Sequence, residues 1–408
     1  MDLNALARTV LGQRPSLFSA DFDQQQERIC EELAGQCVCV VGAGGSIGRA
    51  TAVTLLAQRP RRTLLVDLSE NNLAEVTRLL RNAHPRNAPD FEAWALDFTG
   101  PAFTALLERE QPDVVLNFAA FKHVRSEKDA LTLSEMLRVN VLGNLRLLRW
   151  AQERGALNRI FCISTDKAAN PANCMGASKR VMEQLLFCAD QPLPSARRTT
   201  STRFANVLFS DGSLPASFLQ RLELGQPLSG PSDVRRYFVT PAEAGELCLL
   251  AACHVSDREF LVPRLSPEAM LDFQTIAERL LDARGFEARH YGEDAPAAFA
   301  NFAADVAGRR WPCLFTPAAT SGEKEFEEFS EPGEAAAAVQ PYQCITALCP
   351  QPGMPWARFC ATLDQLAIRL ADPQWLLKAE KNELVAVLKE FVPSFEHRES
   401  ERSLDRIV

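Results

Sequence analysis

A chain of 408 residues, 47% hydrophobic and 24% charged, has the composition of a globular protein with two domains or one large domain with extensions. Its formal net charge of −8, with no concentrated run of Lys or Arg, argues against nucleic acid as a partner. No run of about 18 apolar residues occurs, and the N-terminus lacks the basic-then-apolar order of a secretion signal, so we expect a cytoplasmic protein without membrane insertion.

The first half of the chain alternates apolar strands with helices. Residues 1–34 carry helical patterns at 3–11 and 21–33 and are predicted to form an N-terminal helical arm. Residues 35–210 are predicted to form an α/β domain with a Rossmann-type doubly wound parallel sheet. Its predicted strands are 36–41, 62–67, 91–96, 113–117, 159–163 and 200–207. The predicted helices between them are 49–58, 69–80, 103–109, 133–152 and 175–186.

The second half is less regular. Residues 211–350 are predicted to form a smaller α/β substrate-binding region, and its acidic segment 323–334 with the small-residue run 335–338 is predicted to be a mobile loop. Residues 351–408 are predicted to form a C-terminal helical extension, with two amphipathic helices within 356–391. Twelve cysteines are scattered without a CxxC pair, which favours buried reduced thiols over disulfides or a metal site.

A glycine-rich loop, GAGGSIG at 42–48, stands between the first predicted strand and the first helix. Gly42 suits a tight turn, Gly45 or Gly44 lets the backbone approach a pyrophosphate, and Gly48 lets the helix pack closely on the strand. Free N–H groups at the helix start would face the phosphates. A glycine-rich turn without a ligand is the alternative, but the strand-loop-helix context favours a dinucleotide site. The predicted cofactor residues of the loop are Gly42, Gly44, Gly45, Ser46, Ile47 and Gly48.

Acidic and small residues follow the next strands. Asp67 closes the second strand, 19 residues after Gly48, where an acidic residue holds the ribose hydroxyls of NAD and would repel the 2′-phosphate of NADP. NAD is therefore the predicted cofactor. Asp97, after the third strand, is predicted either to accept a hydrogen bond from the adenine amino group or to cap the following helix. Ala119 and Ala120, after the fourth strand, are small residues on the predicted path of the cofactor.

Polar residues also follow the fifth predicted strand, at the edge of the sheet where open α/β folds place their ligands. Thr165, Asp166 and Lys167 offer a hydroxyl, an acid and a base side by side, and such groups can move protons. Lys179 lies four residues after Met175 on the same face of the next helix. A capped strand-turn-helix with surface charges is the alternative, but the fold context favours a catalytic cluster.

The chain resembles the extended short-chain dehydrogenase/reductases. The closer resemblance is to nucleotide-sugar 4,6-dehydratases of the polysaccharide-biosynthesis type, which act on UDP-N-acetylglucosamine. The similar segments span roughly residues 11–329 and are VGAGGSIG (41–48), DLSE (67–70), AAFKHV (119–124), NVLGN (140–144), STDKAANPANCMGASKR (164–180), RFANVLFSDGS (203–213), RRYF (235–238) and SGEKEFEEF (321–329). The run 164–180 is distinctive, whereas the glycine motif alone is not.

The resemblance implies a reaction in three events. A hydride moves from sugar C4 to NAD, the C5 proton is removed while the 6-hydroxyl leaves as water, and the hydride returns to C6. Lys167 is predicted to be the base at C5, with a pKa lowered by burial near Lys179, and Asp166 the acid for the departing hydroxyl. Thr165 is predicted to hydrogen-bond the 4-hydroxyl, and Lys179 to bind the nicotinamide ribose.

One catalytic position differs from most short-chain dehydrogenases, which have a Tyr where this chain has Met175. The membrane-anchored members of the dehydratase family are similar in having Met there. The base for C4 oxidation is therefore open between Asp166 and a water ordered by Thr165. The resemblance adds further residues to the two sites, namely Lys122 and Asn140 at the cofactor and Asn206, Ser213 and Arg236 at the nucleotide of the substrate. For Arg236, a surface ion pair is the alternative.

The family pattern differs from this chain on the substrate side. The glycines of RFGNVLGSRGS are Ala205 and Phe209 here, and its arginine is Asp211. The membrane helices of anchored members precede the segment that is similar to residues 11–34 and are absent here, which predicts a soluble catalytic unit.

The resemblance also bears on assembly and on competing functions. Helices 133–152 and 175–188 resemble those of a four-helix dimer interface, so a homodimer or higher homo-oligomer is predicted. Apolar residues in excess of one helix face support this, among them Leu145, Leu148, Val181 and Leu185. The competing functions are a nucleotide-sugar epimerase, a dehydratase that also epimerises C5, and a non-catalytic NAD-binding regulatory protein.

Overall fold

The computed structural model describes residues 2–83, 90–122, 127–155, 157–192, 197–317, 327–351 and 353–397. Strands and helices alternate through the first half, as predicted. The strands are β1 Cys37–Val41, β2 Arg62–Asp67, β3 Phe91–Ala95, β4 Val114–Asn117, β5 Arg159–Ile163, β6 Arg198–Thr202, β7 Asn206–Val207, β8 Leu228–Pro231, β9 Arg235–Arg236, β10 Phe238–Val239, β11 Glu259–Pro263, β12 Leu271–Asp272, β13 Glu287–His290, β14 Arg310–Thr316, β15 Ala335–Ala336 and β16 Ile345–Cys349.

The helices lie between these strands and at both ends of the described chain. They are α1 Leu3–Val10, α2 Ser19–Leu33, α3 Ser46–Ala57, α4 Glu70–Ala83, α5 Pro101–Glu110, α6 Ala130–Leu137, α7 Gly143–Arg154, α8 Cys174–Leu186, α9 Leu214–Glu223, α10 Pro241–Ala252, α11 Phe273–Asp282, α12 Ala295–Ala307, α13 Trp356–Leu370, α14 Pro373–Leu376 and α15 Lys381–Phe391. A π-helical turn, Arg138–Leu142, joins α6 to α7. Among the described residues, no helix combines the length and apolar character needed to span a bilayer.

The largest sheet has nine strands in the order β15-β16-β11-β6-β5-β4-β1-β2-β3. The strands from β3 to β11 are parallel, while β16 and β15 are antiparallel to their neighbours. The strand order reverses direction at β1, so the predicted Rossmann-type doubly wound sheet is confirmed.

Strand β1 shows why the sequence folds this way. All five of its residues are buried, since helices cover both faces of a parallel sheet. Cys37, Cys39 and Val41 lie in the core on one face, whereas Val38 and Val40 lie in the core on the other. The continuous apolar run therefore predicts a central strand correctly.

Some predicted elements differ in extent. The predicted strand 200–207 is two strands, since β6 ends at Thr202 and β7 pairs with β10 away from the main sheet. Helix α3 begins three residues before the predicted helix 49–58. The sequence analysis did not identify α12, whose only buried residues are Ala298 and Asp305. An alanine-rich helix with so little apolar periodicity gives no amphipathic signal.

The substrate-binding region has its own small sheet, in the order β13-β14-β8. Helices α1, α9 and α11 surround its core, so the first helix of the predicted N-terminal arm belongs there. The second, α2, packs in the core of the large sheet with α3 and α10. Strands β11, β15 and β16 also belong to the large sheet, so the chain returns to it after residue 210.

The prediction of a mobile loop is wrong for the small-residue run 335–338. Ala335 and Ala336 form β15, which pairs with Leu348 and Cys349 of β16, and Ala337 is buried. The carboxylate of Glu334, at the end of the acidic segment, has no exposed surface. Residues 323–326 of that segment lie outside the described residues.

A buried ion-pair network explains why this acidic segment is not solvated. The Arg203 guanidinium has no exposed surface and donates to both oxygens of Glu183 and both oxygens of Glu334, at 2.7–2.8 Å. Arg180 of α8 also pairs with Glu334, Glu183 and Glu331. Burial raises the pKa of Glu183, but Arg203 and Arg180 outweigh it, so that pKa lies below its usual value. The network thus joins α8 to the segment before β15.

The C-terminal extension covers the helices on which the dimer prediction was based. Leu145, Leu148, Val181 and Leu185 are all buried, in one core with apolar residues of α13 and α15. Arg149 of α7 donates bidentately to Asp364 of α13, at 2.7 and 2.8 Å. The apolar excess of these helices is thus accounted for within one chain. The homo-oligomer stays a prediction, without support from these residues.

Removing an apolar contact of the extension is expected to destabilise the protein. Leu388 of α15 is 1% exposed, so Leu388→Ala should lower the free energy of unfolding by about 2–5 kcal/mol, because it leaves a cavity in this core. Leu377, in the same extension but 76% exposed, provides the matched control. In urea titrations, Leu377→Ala should change the free energy of unfolding by no more than about 0.5 kcal/mol. Equal effects of the two variants would show that the extension does not form part of the core.

Candidate active site

The glycine-rich loop forms a tight turn between β1 and α3. The N–H groups of Gly42 and Ala43 both donate to the carbonyl of Val66, at 2.7 and 3.1 Å. A Cβ added to Gly48 would lie only 2.1 Å from the carbonyl oxygen of Gly42, so no other residue allows this approach. Gly45 is the N-cap residue of α3. The free N–H groups at the start of this helix make it a suitable site for an anion.

Asp67 lies beside this loop, at the end of β2. Its Oδ2 accepts a hydrogen bond from the N–H of Gly44 at 2.8 Å, and its Oδ1 accepts one from Ser69 at 2.9 Å. The hydroxyl oxygen of Ser46, the first residue of α3, accepts a hydrogen bond from the N–H of Asp211 at 2.8 Å. The loop before α9 therefore contacts the predicted cofactor loop.

Asp97 and Asn140 make contacts within the protein. Asp97 Oδ1 accepts hydrogen bonds from the N–H and hydroxyl of Thr99, and Oδ2 accepts one from Arg138 at 3.0 Å. Asp97 does not cap α5, whose N-cap residue is Gly100 and lacks a side-chain hydrogen bond, and its contact with adenine stays a prediction. Asn140, fully buried in the π-helical turn, bonds to both backbone groups of Phe121 and donates to the Ser178 hydroxyl. Asn140 thus fixes the segment after β4, and its contact with a cofactor stays a prediction.

The segment after β4 passes close to the cofactor loop. A Cβ on Gly42 would lie 2.7 Å from the N of Ala119, which shows how closely the two segments approach. Ala119 and Ala120 are half-buried there. Lys122 donates from Nζ to the carbonyl of Asp211 at 2.6 Å. Residues 123–126 lie outside the described residues.

The predicted catalytic cluster forms directly after β5, in a 3₁₀ turn at Asp166–Ala168. The hydroxyl of Thr165 donates to Asp166 Oδ1 at 2.8 Å. Lys167 Nζ lies 3.3 Å from both carboxylate oxygens of Asp166. The Asp166 side chain is 11% exposed and that of Lys167 is 37% exposed, so the ion pair has one open side. The hydroxyl, the acid and the base are therefore within reach of one substrate.

The structure corrects the predicted charge of Lys167. Loss of solvent around its amine does lower the pKa, but the carboxylates of Asp166 and then Glu327 outweigh that effect. The pKa of Lys167 is therefore raised, so without substrate Lys167 is the cation of an ion pair rather than a neutral amine. Lys179 is not among the groups that determine this pKa.

Helix α8 starts directly against the 3₁₀ turn Asp166–Ala168, which we call the catalytic turn after its predicted role. A Cβ on Gly176 would lie 2.2 Å from the carbonyl oxygen of Lys167, so glycine is required for this contact. Asn173 caps the helix through the N–H of Gly176, at 2.8 Å. Glu127 accepts hydrogen bonds from the N–H groups of Cys174 and Met175, at 2.9 and 2.8 Å. Met175, which stands in place of the Tyr of most short-chain dehydrogenases, is buried.

Lys179, one turn further along α8, has a pKa that burial lowers, as does Lys122. It is 4% exposed, and its Nζ donates to the carbonyl of Ile163 at 2.9 Å. Burial lowers the pKa of Lys179 to about 8. This amine, beside the end of β5, is therefore mainly protonated at neutral pH and half neutral near pH 8.

Lysine NMR should show this directly. The chain has only eight lysines, at positions 122, 128, 167, 179, 324, 378, 381 and 389. In protein labelled with ¹³C at lysine Cε, one signal should titrate near pH 8, because burial lowers the pKa of Lys179 to about 8. That signal should be missing from Lys179→Met. Titration of all eight signals near the usual value, about 10.4, would contradict the prediction.

Two of the three predicted substrate residues are connected to the catalytic cluster, and the third has a structural contact elsewhere. Asn206 Nδ2 donates to Glu327 Oε1 and, at 3.3 Å, to the carbonyl of Tyr237. Arg236 is buried rather than a surface residue, and its charge lowers the pKa of both Lys167 and Glu327. Arg236 thus acts electrostatically on Lys167, and Asn206 contacts Glu327, which also does so. Ser213 instead caps α9, accepting a hydrogen bond from the N–H of Ala216 at 3.3 Å.

The loop between Asn206 and Ser213 keeps a backbone conformation suited to glycine. Phe209 has φ +60° and a buried ring, although it stands where the resembling pattern has Gly. A bulky residue in this left-handed region costs about 1–3 kcal/mol. Phe209 thus adopts the left-handed backbone that the Gly of the resembling pattern would allow, and its ring packs in the core of the small sheet.

Glu327 is a site residue that sequence reasoning missed. It accepts hydrogen bonds from Asn206 and from the N–H of Tyr237, the latter at 2.7 Å. Burial, and then repulsion from Asp166, raises the pKa of Glu327 to about 7. The acidic residues around Glu327 suggested a solvated loop, so the sequence did not single it out. Its place in the segment 321–329, which resembles the family pattern, was the one indication of a role in the site.

Comparisons with known proteins identify the family. Residues 38–339 match the profile of the Polysaccharide biosynthesis protein family, which is most of the chain. The chain belongs to this family. The extension α13–α15 lies beyond the matched residues.

The curated relatives in this family are distant. "Probable polysaccharide biosynthesis protein EpsC" of Bacillus subtilis is 28% identical over 69% of this chain and 45% of its own length. The capsular polysaccharide biosynthesis protein CapD of Staphylococcus aureus is 30% identical over 63% of this chain and 42% of its own. The chain thus spans less than half the length of these two relatives. A "UDP-N-acetylglucosamine 4,6-dehydratase (inverting)" of Campylobacter jejuni is 23% identical over 62% of this chain and 75% of its own.

Solved structures support the fold. The X-ray structure of Pen from Bacillus thuringiensis superposes with a TM-score of 0.61 at 20% identity, over 78% of this chain and 89% of that one. At this identity the likeness concerns the fold, and it agrees with the doubly wound sheet described above.

Proposed function

We propose that this family member is an NAD-dependent nucleotide-sugar 4,6-dehydratase, acting on UDP-N-acetylglucosamine or a related UDP-sugar. The observation that carries the proposal is the cluster of Thr165, Asp166 and Lys167 after β5. A 4,6-dehydratase needs an acid and a base on one side of the sugar, and this cluster supplies both within 3.3 Å. The 23% identity to the Campylobacter protein of that name supports the choice of reaction.

The residues around the glycine-rich loop fit NAD. The start of α3 can receive the pyrophosphate, and Asp67 stands beside Gly44, where a ribose would lie next to the loop. Lys179, at the end of β5, would hold the nicotinamide ribose. Bound NAD would supply a hydride acceptor for C4 and a hydride donor for C6.

Transfer of one proton from Lys167 to Asp166 would produce both the base and the acid that the reaction needs. In the absence of substrate Lys167 is protonated and Asp166 is the partner carboxylate, as the raised pKa of Lys167 requires. Moving this proton from Lys167 to Asp166 gives a neutral amine and a carboxylic acid. A substrate that excludes water weakens the ion pair relative to this neutral form, because charges are costly without solvent. Lys167 can then take the C5 proton, while Asp166 gives its proton to the departing 6-hydroxyl.

Replacing Asp67 should test the cofactor assignment. Asp67→Ala removes the carboxylate that would accept hydrogen bonds from the ribose and repel a 2′-phosphate, so NAD should bind more weakly and its advantage over NADP should narrow. Calorimetry with both dinucleotides measures the two affinities. Comparable or tighter binding of NADP by the parent protein would contradict the assignment.

The reaction itself is tested by a panel of substrates. The purified protein with NAD is incubated with UDP-N-acetylglucosamine, other UDP-sugars and other nucleoside-diphosphate sugars. Mass spectrometry should show a product that has lost one water from at least one UDP-sugar. A product of unchanged mass but inverted configuration would identify an epimerase instead, and no conversion of any sugar would support a non-catalytic protein.

A further inference from the structure

The carboxylate of Glu327 lies between the predicted substrate residues. Its Oε1 accepts a hydrogen bond from Asn206 Nδ2, and its Oε2 accepts one from the N–H of Tyr237 at 2.7 Å. Tyr237 follows Arg236 directly, so the two donors come from the segments that carry both predicted nucleotide residues. Glu327 therefore joins the two segments that carry Asn206 and Arg236.

The same carboxylate acts on the catalytic ion pair. Four charged groups face one another here, since Glu327 interacts with Asp166, Lys167 and Arg236. The carboxylates of Asp166 and Glu327 together raise the pKa of Lys167 against the effect of lost solvent and of Arg236. Burial and the Asp166 charge in turn raise the pKa of Glu327 to about 7. The charge of each group thus depends on the charge of the others.

Ion pairs with helix α8 hold the segment that carries Glu327 in place. Glu331 and Glu334 follow Glu327 closely and pair with Arg180 of α8 and with the buried Arg203. Arg180 is the residue after Lys179, so the helix that carries one catalytic lysine also anchors the segment that carries Glu327. This segment cannot move away from the site without breaking buried ion pairs.

We propose that Glu327 is a positioning residue of the active site, which holds Asn206 in place and controls the charge of Lys167. While Glu327 is ionised, it keeps Lys167 protonated. When Glu327 takes a proton, Lys167 loses one of its two carboxylate partners and releases its own proton more readily. The catalytic meaning of this effect, control of the base at C5, rests on the proposed dehydratase function.

The charge of Lys167 can be followed without any substrate. In the ¹³C-lysine spectrum, the signal missing from Lys167→Met belongs to Lys167. In the parent, this signal should show a small step near pH 7, as Glu327 titrates, before Lys167 itself titrates at higher pH. In E327Q the step should vanish and the midpoint of Lys167 should fall by roughly one pH unit, the effect of losing one nearby opposite charge.

Two further variants separate charge from structure. E327D keeps the charge, so the midpoint of Lys167 should stay near that of the parent. E328Q removes a carboxylate from the adjacent, exposed Glu328, which accepts a hydrogen bond from Asn170 at 3.1 Å, and it should leave the midpoint unchanged. The proposal is overturned if E327Q keeps the parental midpoint while the other lysine signals are unchanged. If E327Q does not fold, absence of the step near pH 7 in the parent overturns it.

The pH profile connects this effect to catalysis. The rate of water loss should fall at high pH, where Lys167 loses the proton that Asp166 must deliver to the 6-hydroxyl, and in E327Q this fall should occur at lower pH than in the parent or E328Q. A fall at the same pH in all three would overturn the control of Lys167 by Glu327. If the parent converts no nucleotide sugar, the proposed function fails, and the lysine titration still decides on Glu327.

Discussion

Lys167→Met is expected to abolish loss of water from the sugar while leaving the affinity for NAD within a few-fold of the parent value. Removal of a general base typically costs about a hundredfold or more in rate. Lys167 is paired with Asp166 at 3.3 Å after β5, whereas the glycine-rich loop and Asp67 lie at the ends of β1 and β2. The variant should also block exchange of the C5 hydrogen with deuterated solvent, because that step needs the amine.

Lys378→Met provides the control, since Lys378 is exposed on the C-terminal extension. Turnover is measured by mass spectrometry and NAD affinity by calorimetry. Near-parental turnover of Lys167→Met would exclude Lys167 as the base. Loss of NAD binding would instead show that Lys167 is structural and that the base lies elsewhere in the site.

Arg203→Met is expected to lower the free energy of unfolding by about 3–5 kcal/mol, the cost of leaving buried charges without a partner. Its guanidinium has no exposed surface and donates to Glu183 and Glu334, whose side chains are also buried. Met has a comparable length but no charge, so both carboxylates lose their main partner. Urea unfolding measures the change.

Arg358→Met is the matched control, because Arg358 pairs with Glu390 at the surface, at 3.6 Å. It should change the free energy of unfolding by no more than about 1 kcal/mol. The folded pKa of Glu183 is lowered, so the stability that Glu183 contributes is present above its unfolded pKa and is lost as pH falls through the folded pKa. The deficit of Arg203→Met should therefore shrink in acid. A deficit equal to that of the control would mean that the network does not stabilise the fold.

The sequence predicted the fold well because its strongest signals are local. Strands buried on both faces read as apolar runs, and β2 and β5 have the predicted bounds. The position of the proposed catalytic cluster was also predictable, since Thr165, Asp166 and Lys167 are adjacent and Lys179 lies one turn along a helix. The structure places all of them at the end of β5, as expected.

The unpredicted features depend on contacts between distant parts of the chain. The acidic segment before β15 has the composition of a solvated loop, and only its pairing with Arg180 and Arg203 shows that it is buried. The pKa of Lys167 is raised rather than lowered because the carboxylate of Asp166, and then that of Glu327 far away in sequence, outweigh the loss of solvent. Likewise, the apolar faces of α7 and α8 suggested a partner protein, whereas α13 and α15 of the same chain cover them.

The most direct test of the proposed function follows one hydrogen atom through the reaction. The parent protein with NAD is given UDP-N-acetylglucosamine that carries deuterium at C4, and the product is examined by NMR and mass spectrometry. A 4,6-dehydratase should yield a product that has lost one water and carries the deuterium at C6, because the hydride taken from C4 returns to C6. Deuterium that remains at C4 of an isomerised sugar, or a product formed without loss of water, would contradict the proposal.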